Sequence, residues 1–154
     1  MMVPLVLALH TMAAVVWVGG LFLVVTILRP ALLSLPLPER LGLWRHILER
    51  FFTWVWISVI VLLVSGYAVV FFGYQGFASV GLHIHIMQLT GLVMVLLFVL
   101  MWAMPWQDFR HAFDAGHFED AAKSLKRIGL VTAINLPLGL FTSVIGATGS
   151  FWTH

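Results

Sequence analysis

The chain has 154 residues, 62% of them apolar and 9% charged, with a net charge of +2. That is too apolar for a soluble domain, and four apolar runs of spanning length leave no room for a separate one. Cysteine is absent, which excludes disulfides, thiolate-bound zinc, iron–sulfur clusters and thiol catalysis.

The four runs lie at about 3–28, 51–72, 82–104 and 128–152, and a spanning helix needs roughly 20 apolar residues. The first has no positively charged start and continues to Arg29, so it reads as a spanning helix rather than a signal peptide. It carries His10, Trp17, Gly19 and Gly20, with His10, Ala14, Trp17 and Leu21 on one face. Arg29-Pro30 is expected to end it, and Pro36 and Pro38 to break the following loop. Leu41, Trp44, Ile47, Leu48 and Phe51 then repeat at helical spacing among charges, the pattern of a short interfacial helix.

The second run is aromatic and turns small at Ser65-Gly66. A short link follows, so the second and third spans are antiparallel neighbours. The third opens with His83-Ile84-His85, continues through Gln88 and Gly91, and is expected to end at Pro105. Trp106–Arg127 reads as a second amphipathic loop helix. The fourth run carries Asn135 and Pro137, with Gly139, Ser143 and Ala147 as a small-residue stripe for close helix contact. Trp44, Trp102, Trp106 and Trp152 fall where interfacial belts are expected.

All eight Lys/Arg residues and all six carboxylates lie between the first and second runs or between the third and fourth. The positive-inside rule therefore puts both loop helices in the cytoplasm and both termini outside. The expected fold is all-α: one domain over 1–154, an up-and-down bundle of four transmembrane helices in a bacterial inner membrane, with periplasmic termini. The basic loops suit anionic lipid headgroups rather than nucleic acid.

The uncharged end holds few polar groups, and His10, His83 and His85 are prominent among them. His10 lies 19 residues before Arg29, and His85 lies 21 before Trp106. The two therefore sit at nearly equal depth on the diagonal first and third helices. Diagonal histidines at one depth can ligate a haem iron from opposite faces. His83 points roughly 160° from His85 and is the reserve ligand. Trp17, Gly20 and Gln88 are candidate neighbours of a macrocycle. The outer end, however, offers no Arg or Lys to its propionates. Copper is the rival cofactor, because His10, Met12, His83, His85 and Met87 are imidazole and thioether groups near one face. His46, His111 and His117, near Asp114 and Glu119, form a second cluster that could hold a metal or a second haem, or simply be solvated.

Ala8-Leu9-His10 followed by Trp17-x-Gly19-Gly20-Leu21-Phe22 resembles the opening helix of the copper-resistance CopD family. It also resembles the HemJ family of haem-containing protoporphyrinogen oxidases, which are four-helix membrane proteins. The third helix of HemJ-like proteins opens with a His-x-Lys pattern, matched here by His83-Ile84-His85. Arg127-Ile128 through Asn135-Leu136-Pro137-Leu138-Gly139 is similar to the last CopD helix. The resemblance implies His10 and His85 as haem ligands, with His in place of Lys. A tyrosine-, proline- and arginine-containing stretch ending in histidine, usual in HemJ, is replaced by Leu23–Pro30.

The leading expectation is thus a b-type haem protein, a membrane oxidoreductase for electron transfer with a quinol or small-molecule partner, and a homo-oligomer is compatible with it. A copper-transporting or copper-binding CopD-type protein is the alternative, and a HemJ-like oxidase the second.

Overall fold

Apolar side chains recur every three or four residues along each long segment, and helix is the only backbone state that satisfies its own polar groups in lipid. The structure is a computed structural model that describes residues 2–152. Every regular element among them is helical: α1 (Met2–Phe22), α2 (Leu37–Ala68), α3 (Leu82–Ala103), α4 (Pro105–Asp114) and α5 (Phe118–Thr148). Short π and 3-10 turns extend several of them, so that Met2–Ser34, Leu37–Gly73, Leu82–Asp114 and Phe118–Phe151 are four helical rods long and apolar enough to cross a membrane.

Three boundaries differ from the sequence expectation. Arg29-Pro30 does not end the first rod. A π-helical segment, Leu23–Leu28, precedes the proline, and helix resumes at Arg29–Ala31. The wider turn accommodates a ring that an α-helical interior would not. The interfacial helix near 41–51 is not separate either. Leu41, Trp44, Leu48, Phe52, Val55 and Val59 form one buried stripe through α2, and nothing between them breaks the helix. Conversely, 106–127 is not one helix. Gly116 adopts φ +76° between α4 and α5, and the second half of the segment is the start of α5.

α1 packs mainly on α2, and α3 mainly on α5. The glycine stripe that seats α3 is Gly139, Gly146 and Gly149, with Thr142 between. A Cβ at Gly139 would lie 2.8 Å from Val18 and 3.0 Å from Met94, and one at Gly146 would lie 2.8 Å from Met87. Thr142 Oγ1 lies 2.7 Å from Thr90 Oγ1. Ser143 and Ala147, expected on this stripe, are exposed instead.

The core lies toward the charged end. Phe98, fully buried, is its centre and meets Trp17, Phe52 and Trp56 at ring separations of 6.1, 5.9 and 5.1 Å. Trp44 and Trp106 are buried in the packed interior rather than placed in an interfacial belt, whereas Trp102 and Trp152 are substantially exposed. Arg45 and Arg110 place guanidinium carbons 5.4 and 5.9 Å from the Trp106 ring centre, and Arg45 also pairs with Glu49 at 3.0 Å.

Candidate functional site

The uncharged end is built differently. Its histidines are seated by small residues. Ser65-Gly66 of α2 faces α1 at the level of His10. A Cβ at Gly66 would stand 3.2 Å from His10 Cε1, so glycine leaves room for the ring. Ser65 Oγ lies 2.5 Å from the Val61 carbonyl and 2.9 Å from His10 Nδ1. The hydroxyl has one proton, and its short contact to Val61 O claims it. With the hydroxyl proton directed to Val61 O, the Ser65 oxygen accepts from His10 Nδ1–H, and the Leu62 carbonyl is a further partner of the imidazole. A polar oxygen at one ring nitrogen restrains the orientation of the imidazole.

His83 is half-buried and wedged between the link and the end of the last rod. A Cβ at Gly149 would overlap its side chain, and one at Gly81 would lie 2.9 Å from its ring. His85 is exposed, with its ring centre 6.5 Å from that of Phe77. Phe77 in turn packs on Tyr67 and Phe71. Met87 packs on Gly146. Met12 is 64% exposed on the outer surface of α1, away from the side that meets α2. The His/Met group read from the sequence is therefore dispersed over several faces. Among the described residues, no group of three or more His, Asp or Glu is placed to hold a metal. His46, His111 and His117 are exposed, and His46 Nδ1 bonds its own helix at the Gly42 carbonyl.

The residues expected around a macrocycle are engaged within the protein. Trp17 is buried, with its ring against Phe98. Gly20 receives Phe51, whose Cε2 would lie 3.2 Å from an added Cβ. Gln88 Nε2 donates to Tyr67 Oη at 3.1 Å. His10 and His85 are held by different partners, one on α2 and one in the link. This packing does not fit a haem slot lined by Trp17, Gly20 and Gln88.

The family described as "Copper resistance protein D" (CopD) matches residues 45–151. This chain belongs to the CopD family. The matched region carries His83, His85, Met87 and Ser65, while His10 lies before it. No curated protein and no solved structure matches the chain.

Ser65 is the site residue that the sequence reading passed over. Its signal was present, because Ser65-Gly66 is the small pair in an otherwise bulky run.

Proposed function

We propose that this CopD-family protein binds copper ions at the uncharged end of its bundle and passes them into the membrane, with His10 as the inner ligand. The observation that carries the reading is His10 itself, an imidazole within a spanning helix that Ser65 holds by its Nδ1. An intramembrane ionisable group held in place by a polar neighbour is the kind of residue that lines an ion path. Imidazole nitrogen suits copper, and so does the thioether of Met87, which faces α5 at the same end of the bundle. His83 and His85 are the candidate mouth ligands, because both stand at the start of α3. His83 sits between Gly81 and Gly149, and His85 is exposed beside Phe77. Copper is here the cargo.

Charge sets the proposed orientation. The basic end faces the cytoplasm of a bacterial host, and the uncharged end opens to the periplasm. Copper then arrives where no fixed cation repels it.

The test is copper(I) uptake into proteoliposomes that hold a fluorescent copper chelator. Wild-type protein should give a signal well above that of empty vesicles, and His10→Ala should abolish the difference. Uptake undiminished by His10→Ala would remove His10 from the path. An intense b-type haem spectrum in the same preparation, lost with His10→Ala, would replace the copper reading with a haem one.

A further inference from the structure

The basic end carries a groove of about 290 Å³ between the first rod, the start of α2 and the start of the last rod. Its rim holds three cations from three separate helical segments: Arg29, Arg40 and Lys126. Its floor is apolar, with Val24, Leu41, Trp44, Leu48 and Ile128. No carboxylate lines it. Among the described residues none of the three cations joins an ion pair, although Arg45, Lys123 and Arg127 all do. Arg29 lies flat over Gly129. Its Cζ would stand 3.3 Å from an added Cβ, and its Nη1 lies 3.5 Å from the Gly129 carbonyl. The π-helical turn Leu23–Leu28 lies directly before Arg29, so an irregular backbone sets the direction of that side chain.

We infer that this groove binds the headgroup of an anionic phospholipid, with the phosphate between the three cations and an acyl chain along the open apolar side at Val25, Leu33 and Leu125. Three uncompensated cations call for an anion. The open apolar side selects a lipid over a free phosphate, because an inorganic ion would leave the exposed Leu33 and the half-buried Val25 and Leu125 uncovered. The site is independent of the copper reading, at the opposite end of the bundle.

The test is native mass spectrometry of the detergent-purified protein after mixing with phosphatidylglycerol, and separately with phosphatidylcholine. Wild type should retain phosphatidylglycerol and little phosphatidylcholine. The triple variant Arg29→Gln, Arg40→Gln, Lys126→Gln should lose retention by about tenfold or more. A control triple, Arg50→Gln, Lys123→Gln, Arg127→Gln, removes the same charge outside the groove and should keep it. Arg40→Gln alone, at the loop edge, should give a partial loss and carries the test if the triple variant does not fold. Equal losses in both triples would overturn the site in favour of diffuse charge. Stabilisation of wild type by inorganic phosphate as strong as that by phosphatidylglycerol would overturn the lipid.

Discussion

The two ends of the bundle are packed by different kinds of residue. At the charged end aromatic rings fill the space between the rods: Phe98, Phe52, Trp56 and Trp106 form a continuous set, and Arg45 and Arg110 flank the last. At the uncharged end the rods meet through serine and glycine, and histidines occupy the spaces that the small residues leave. Bulky packing gives the first end its rigidity, since association in lipid rests on van der Waals fit. Small residues give the second end room for polar side chains that have a nitrogen to offer. A substitution should therefore act on stability at one end and on ion binding at the other.

The largest expected effect is Phe98→Ala. The ring is fully buried and touches three aromatic neighbours, so its removal should cost about 3 kcal/mol and lower the melting temperature in detergent. A melting temperature equal to wild type would deny that the core centres there. Next comes Ser65→Ala, at the other end. It leaves His10 Nδ1 without its acceptor and should weaken copper(I) affinity by about tenfold to a hundredfold, read by competition with a chromophoric chelator. Its melting temperature should move far less than that of Phe98→Ala, and a large drop would blur the division between the ends. The smallest effect is Lys123→Ala. This exposed residue pairs with Asp120 at 2.8 Å in full solvent contact, so neither the melting curve nor copper affinity should change measurably.

Much of this division was legible in the sequence. Apolar runs gave four spans, and the placement of every formal charge separated the two ends. Helix ends were less legible, because charge marks where lipid stops, not where a helix stops. Arg45, Glu49 and Arg50 crowd the middle of α2, yet its buried stripe runs through them unbroken. Pro30 looked like a terminator, and a π turn absorbed it. For the candidate site, spacing drew attention to His10, but depth alone does not fix direction. Met12 and His10 are two residues apart and face different surroundings, one lipid and the other Ser65. The seat of His10 depended on a contact 55 residues away, which helical periodicity within one span cannot reveal.

The most direct measurement is copper(I) titration of the purified protein against a chromophoric chelator, for wild type and His10→Ala side by side. The account predicts a site in wild type that His10→Ala loses, with melting temperatures alike. Equal copper affinity in the two proteins, or none in either, would contradict it.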